Sequence, residues 1–184
     1  YDGYGRIATV TDAEGYAVAL AYDALNRLTQ VTYPDATTET WTYSRLDFTE
    51  QKDRLGRVTR HFYDGYGRRT ATRDPAGRTV SLVWCACDRV EALVDAKGQR
   101  TRWEYDAANR VTREVRADTV TDTVYTYDGS GRLATVTDPL DQVTTYTYHL
   151  DDSLASTAFT NETIATADIS HTYDPYYPRP VTMV

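Results

Sequence analysis

Apolar and polar residues alternate along this chain in runs of six or seven, and each run is bounded by a turn rich in Gly, Asp or Asn. Thr40-Trp41-Thr42-Tyr43, Tyr125-Thr126-Tyr127 and Thr145-Tyr146-Thr147-Tyr148 show the pattern, with period two and β-branched or aromatic residues. That is the signature of β-strands, and it puts an aromatic and its neighbour two residues earlier on one face. The aromatic, Tyr or once Trp, recurs at positions 1, 22, 43, 63, 84, 105, 127, 148 and 173, at intervals of 20 to 22 residues in all but the last. Such a period is one supersecondary unit copied in tandem, which buries its apolar face only against its neighbours. Two runs per period predict one β-hairpin per repeat, hence an all-β fold of tandem hairpins in one long antiparallel sheet, with almost no helix. Roughly sixteen strands at ~4.8 Å spacing make a sheet about 75 Å wide, beyond the ~10 strands an open sheet sustains, so the sheet is expected to curve, wrap or close.

Counting from the marker aromatic, the first turn spans offsets 0 to 5, as in Tyr1-Asp2-Gly3-Tyr4-Gly5-Arg6, Tyr63-Asp64-Gly65-Tyr66-Gly67-Arg68 and Tyr127-Asp128-Gly129-Ser130-Gly131-Arg132. Offset 4 is Gly5, Asn26, Asp47, Gly67, Asp88, Asn109, Gly131 and Asp152, the three residue types that best tolerate positive φ. Offset 5 is Arg at Arg6, Arg27, Arg68, Arg89, Arg110 and Arg132, which beside a fixed Asp predicts a ladder of ion pairs. The framework of the repeat is thus Tyr1, Asp2, Gly5, Arg6; Tyr22, Asp23, Asn26, Arg27; Tyr63, Asp64, Gly67, Arg68; Tyr105, Asp106, Asn109, Arg110; and Tyr127, Asp128, Gly131, Arg132. A second turn follows as Asp12-Ala13-Glu14-Gly15, Asp53-Arg54-Leu55-Gly56, Asp74-Pro75-Ala76-Gly77 and Asp95-Ala96-Lys97-Gly98, with variants at Pro34-Asp35-Ala36, at Asp138 to Asp141 and across Asp118 to Asp122. Apolar residues at offset 6 (Ile7, Leu28, Val90, Val111, Leu133, Leu154) and offset 9 (Val10, Val31, Leu93, Val136) differ in parity. Either a bulge intervenes or both faces carry apolar residues. The degenerate stretch from Leu150 to Ser170, which contains the glycosylation-type triplet Asn161-Glu162-Thr163, predicts a longer hairpin loop.

Composition narrows the partners. Mean hydropathy of −0.58, with three Phe, one Met, sixteen Tyr and three Trp, points to half-buried sheet faces and not a thick core. A net charge of −7 and a pI near 4.9 argue against nucleic acid or an anionic membrane as partner. No apolar run is long enough to span a bilayer as a helix. The array runs through residues 1–184 without interruption as about eight repeats, the last degenerate and truncated, and reads as one unit from a longer protein.

Chemistry has few candidates. Cys85 and Cys87 replace turn residues in Trp84-Cys85-Ala86-Cys87-Asp88; a disulfide across so short a spacing is expected to be strained and two thiols make no zinc site, so they read as turn substitutions, or as a metal or disulfide pair completed by a second cysteine pair elsewhere. His61, His149 and His171 sit at unrelated offsets and suggest no triad or metal cluster. The aspartates occupy turn positions, and no phosphate loop, dinucleotide fingerprint or nucleophile elbow is present, so neither an enzyme nor a cofactor is expected. Tyr4, Tyr66, Tyr176 and Tyr177 lie in or near turns, where they pack over adjacent hairpins or stack on a sugar or an apolar partner segment.

The unit Tyr-Asp-x-x-Gly-Arg, then Asp-Pro-x-Gly, then Tyr-Asp again resembles the YD repeat of the rearrangement hotspot (RHS) family, clearly through Tyr148 and more loosely through Tyr173-Asp174. That family includes RHS polymorphic toxins, shell components of Tc toxins, wall-associated proteins and teneurins. The resemblance implies a sheet that spirals into a hollow shell, of which this chain is a strip too short to close, secreted or at the cell surface in the parent protein. It implies as partners the remaining repeats of the parent and a C-terminal polypeptide (toxin) cargo, or, in the adhesive relatives, a glycan. No self-cleaving core of the kind that frees cargo in the family is reached before Val184. Unpaired sheet edges predict self-association.

Overall fold

The computed structural model describes residues 1–117, 122–161, 166–173 and, by backbone alone, Pro180–Met183. Among these residues the chain has seventeen β-strands and no helix. It separates into two compact units, Tyr1–Val83 with Val94–Lys97, and Trp84–Leu93 with Gly98–Val184.

The first unit contains β1 (Thr9–Thr11), β2 (Ala17–Tyr22), β3 (Leu28–Thr32), β4 (Thr38–Ser44), β5 (Asp47–Lys52), β6 (Val58–Tyr63), β7 (Arg69–Arg73) and β8 (Thr79–Trp84). Each strand pairs antiparallel with the next in sequence, a meander. The second unit contains β9 (Val90–Val94), β10 (Arg100–Tyr105), β11 (Val111–Val115), β12 (Thr123–Tyr127), β13 (Leu133–Thr137), β14 (Val143–Tyr148), β15 (Leu154–Thr160), β16 (Ile169–Tyr173) and β17 (Pro180–Met183). From β10 onward the same consecutive antiparallel pairing holds. The expected class and architecture, all-β and built of tandem hairpins, are those observed.

A bulge resolves the parity conflict between offsets 6 and 9. Ala21 pairs with Gln30 but Tyr22 with Leu28, so Thr29 is the extra residue. Leu28 then lies opposite Tyr22 while Val31 lies opposite Leu20, and both apolar residues share the face of the marker aromatic. The same shift accompanies Tyr43, Tyr63, Tyr105, Tyr127, Tyr148 and Tyr173. The bulge is thus part of the repeat. It lets one face hold aromatic and aliphatic side chains while the other carries cross-strand polar pairs. On that polar face Thr126 and Thr135 share a hydrogen bond of 2.6 Å, Thr147 and Ser156 one of 2.7 Å, and Arg60 pairs with Glu50 at 2.8 Å. Only Val31, Ala92 and Thr157 are buried among the described residues, so the apolar face is half-buried along its length.

Both turns close in one way. The Asp N–H donates to the carbonyl four residues on, and the N–H of the fourth turn residue returns to the Asp carbonyl, as in Asp2 to Arg6 (2.8 Å) with Gly5 to Asp2 (3.1 Å), and Asp53 to Arg57 (3.0 Å) with Gly56 to Asp53 (2.9 Å). This is a three-residue hairpin loop ending in a left-handed residue. At the first turn that residue is Gly5, Asn26, Gly67, Asp88, Asn109, Gly131 or Asp152, with φ between 61° and 85°. Asp47 is the exception and corrects the expectation made for it. It begins β5, the strands pair up to Ser44↔Asp47, and the positive φ (54°) falls on Arg45 in a two-residue loop. The 20-residue interval from Tyr43 to Tyr63 is one residue short at this turn.

The strands β15 and β16 pair at Ser156↔Ser170 and Thr157↔Ile169, so the degenerate stretch does hold a longer hairpin connection. Asp118, Glu162 and Thr163 of the glycosylation-type triplet, and Asp174, Tyr176, Tyr177 and Val184, for which the sequence carries expectations, lie outside the described residues.

Candidate functional site: the seam between repeats

At each complete first turn the Asp carboxylate is fully used. Asp2 Oδ1 accepts the N–H groups of Tyr4 and Arg6 at 2.9 Å each, and Oδ2 accepts Arg6 Nε at 2.6 Å. Asp23, Asp64, Asp106 and Asp128 repeat this with Arg27, Arg68, Arg110 and Arg132. With Nε held in its own repeat, the far end of the guanidinium points at the next one. Arg6 Nη1 donates to the Asp23 carbonyl (2.9 Å) and Asn26 Oδ1 (3.1 Å), Arg27 to the Arg45 carbonyl (2.7 Å), and Arg132 to the His149 carbonyl (3.2 Å) and Asp152 Oδ1 (2.7 Å).

The same guanidinium lies over the next marker ring, Arg6 on Tyr22 at 4.9 Å, Arg27 on Tyr43 at 4.2 Å, Arg110 on Tyr127 at 4.3 Å and Arg132 on Tyr148 at 4.6 Å. Marker tyrosines in turn send their hydroxyls back to the preceding repeat, to its offset-6 carbonyl or, in the copy that is one residue short, to Phe48 at offset 5. Tyr22 donates to the Ile7 carbonyl at 3.0 Å, Tyr63 to Phe48 at 2.8 Å, Tyr105 to Val90 at 2.7 Å, Tyr127 to Val111 at 2.8 Å and Tyr148 to Leu133 at 2.9 Å. At Tyr22, Tyr43 and Tyr148 the seam therefore holds a neutral hydrogen bond worth ~1 kcal/mol, a charge-assisted one and a cation–π contact. The sequence shows the residues, but not that Arg and Tyr of adjacent copies meet, since they are about sixteen residues apart. The opposite turn row has its own version, in which Arg54 binds Asp35 (2.7 Å) and Thr37 (2.9 Å) and covers Tyr33 at 4.0 Å.

Open space remains at some seams between the described residues. A groove of about 330 Å³ is lined by Tyr4, Arg6, Tyr22, Asp23, Ala24 and Asn26. A larger one, about 570 Å³, is lined by residues that include His149, Asp151, Ser153, His171 and Tyr173. In that copy His149 replaces the turn Asp and Ser153 the Arg, so the turn has no arginine of its own at offset 5, and the His149 ring stands edge-on to Tyr173 at 6.2 Å. The two histidines that sequence offsets kept apart thus line one groove. His61, in the first unit, packs against Phe48 at 5.0 Å with Nδ1 3.1 Å from Thr72 Oγ1; burial, then the charge of Arg69, lowers its pKa.

The first-turn carboxylates Asp2, Asp23, Asp64, Asp106 and Asp128 titrate low. Backbone N–H donation from Arg6, Arg27, Arg110 and Arg132 is the leading cause for Asp2, Asp23, Asp106 and Asp128, with their guanidinium hydrogen bonds adding to it against partial desolvation. At Asp64 desolvation is the largest single influence and acts upward, but the Arg68 side chain and backbone together outweigh it. A depressed native pKa stabilises the fold above the unfolded value, and that contribution disappears as pH falls through the native value. Carboxyl NMR titration should therefore place Asp2, Asp23, Asp106 and Asp128 below 3.8, with the seams loosening only under stronger acid; values at or above 3.8 would contradict the turn chemistry.

Cys85 and Cys87 are bonded to each other. They keep the turn backbone that substitutions within it require, and what the bond corrects is the pairing with a second cysteine pair elsewhere; bonded to each other, they are not metal ligands in this state. Among the described residues no group of three or more His, Cys, Asp or Glu is placed to hold a metal. Tyr4 and Tyr66 are 86% and 87% exposed, each touched by the Arg of its own turn at 5.0 and 5.1 Å. They do not pack over an adjacent hairpin. Leu25 and Leu46, at the same offset, are 60% and 83% exposed, so the first unit carries a row of apolar turn tips that the sequence reading did not single out.

A family model described as RHS Repeat matches residues 1–38, 43–79, 88–121 and 127–157. Double-stranded DNA deaminase toxin A of Burkholderia cenocepacia (strain H111) is 31% identical over 139 residues, 76% of this chain and 8% of that protein. Among solved structures, TcdB2-TccC3-TEV superposes with a TM-score of 0.77 at 19% identity over 99% of this chain, and TcdB2-TccC3-Cdc42 with 0.59 at 15% over 100%. At these identities the likeness is one of fold. The chain spans 11% and 12% of those two chains.

Proposed function

Because this chain belongs to the RHS repeat family, we propose that it is a noncatalytic structural module, a strip of β-shell whose wall encloses a C-terminal polypeptide (toxin) cargo. The observation that carries this reading is the seam. The framework aspartates and arginines are satisfied by one another and by the backbone, and the marker tyrosines by the preceding repeat, so the recurring chemistry of the period goes into joining repeats. In this reading Tyr1, Asp2, Gly5 and Arg6 and their counterparts are framework, not ligand or catalyst. The two compact units form parts of one array, its partners are further repeats and the cargo, and its place is outside the cell. The toxin among its relatives and the fold shared with TcdB2-TccC3 support the assignment.

The test is native purification of the natural protein that carries these repeats, followed by denaturing electrophoresis and intact mass. A separate C-terminal polypeptide that travels with the array natively and parts from it only on denaturation is the expected result. One uncleaved chain enclosing nothing would overturn it and favour a second reading, an adhesive or carbohydrate-binding β-surface. The exposed row Tyr4, Leu25, Leu46 and Tyr66 is the feature that favours this alternative.

A further inference from the structure

We propose that the Cys85–Cys87 turn is a redox-active site that exchanges with low-molecular-weight thiols and disulfides. Its backbone is that of the sister turns. The Cys85 N–H donates to the Arg89 carbonyl at 2.9 Å, the Asp88 N–H returns to the Cys85 carbonyl at 3.2 Å, and Asp88 takes the left-handed position at φ 61°. Cys85 stands where Asp2, Asp23, Asp64, Asp106 and Asp128 stand in their copies, and its sulfur does the work of the carboxylate oxygen, accepting the N–H groups of Cys87 at 3.2 Å and Arg89 at 3.4 Å. The turn is already closed by backbone hydrogen bonds, and a bond between residues two apart removes little entropy from the unfolded chain. The disulfide therefore adds little as a staple.

What the site offers is a stabilised thiolate. On reduction, Cys85 is left facing two N–H donors, with Arg89 in the position from which Arg6, Arg27, Arg68, Arg110 and Arg132 bind their carboxylates. Hydrogen-bond donors and a guanidinium favour thiolate over thiol. Cys85 is thus the better leaving group and Cys87, exposed at the turn tip, the sulfur open to attack. A small-molecule thiolate adds to Cys87 Sγ, the Cys85–Cys87 bond breaks, and Cys85 departs with the electron pair as thiolate. A second small thiol then attacks the mixed disulfide, releasing the small-molecule disulfide and leaving Cys87 as a thiol. The sum is one protein disulfide and two thiols giving two protein thiols and one small disulfide.

The experiment places the intact chain in glutathione buffers of graded oxidised-to-reduced ratio, with acid quenching, alkylation and tandem mass spectrometry of the turn peptide. Reversible gain and loss of two hydrogens is expected, with the transient glutathione adduct on Cys87 in roughly tenfold excess over Cys85. Arg89→Ala should shift that adduct ratio toward parity, whereas Cys85→Asp, which restores the sister turn, should keep the fold and abolish the reversible two-hydrogen change, leaving Cys87 able to form only the glutathione adduct. A pair that millimolar glutathione leaves oxidised, or adducts shared equally in the unsubstituted chain, would overturn the proposal.

Discussion

Replacing Tyr127 with Ala is expected to cost ~2–4 kcal/mol of unfolding free energy, somewhat less than deleting a fully buried aromatic. Three losses add at this one side chain. The half-buried ring lies opposite Leu133 on the apolar face. Its hydroxyl donates to the Val111 carbonyl at 2.8 Å, and Arg110 stacks on it at 4.3 Å. Tyr127→Phe removes only the hydroxyl and should cost ~1 kcal/mol. Urea unfolding at neutral pH separates the two. In a repeat protein each copy is stabilised by its neighbours, so the Ala variant should also broaden the transition as the copies on either side of the seam uncouple. A loss below ~1 kcal/mol for Ala, the value for a surface tyrosine, would show that the ring does not join the repeats.

Gly131→Val should be nearly as damaging, at ~2–3 kcal/mol, for two separable reasons. Gly131 has φ +85°, which a β-branched residue adopts only under strain, and a Cβ there would stand 3.2 Å from Arg110 Nη1. The guanidinium must give by a few tenths of an ångström, which disturbs its contact on Tyr127. Gly131→Asn should be far milder, since Asn26 and Asn109 hold the equivalent position at φ 61° and 62°. Repeating both substitutions in an Arg110→Ala background tests the division by equilibrium denaturation. The backbone part of the Val penalty should remain while the part due to the guanidinium vanishes. An unchanged penalty would assign the whole effect to the backbone and refute the proposed coupling across the seam.

The alternation of Thr with Tyr or Trp, the period of 20 to 22 residues and the Gly, Asn or Asp at offset 4 were enough to specify hairpins, turns and their repetition, because strand period and turn sterics are local properties of the backbone. Locality also sets the limit. Asp47 satisfied the pattern but not the turn, because the pairing of β4 with β5 carried the strand to Ser44 and moved the left-handed residue to Arg45. The offset parity was undecidable until the cross-strand register placed a bulge at each marker aromatic. The grouping of His149 with His171, the reach of Arg27 to Tyr43 and the bond between Cys85 and Cys87 depend on which atoms lie within a few ångströms. From the sequence alone came the identity of the unit, because a hairpin and its turns are written in residues that are neighbours in the chain. Only the tertiary structure decided how units are joined, because the energy of a seam lies between side chains of different copies, and their separation is set by sheet register and not by position in the sequence.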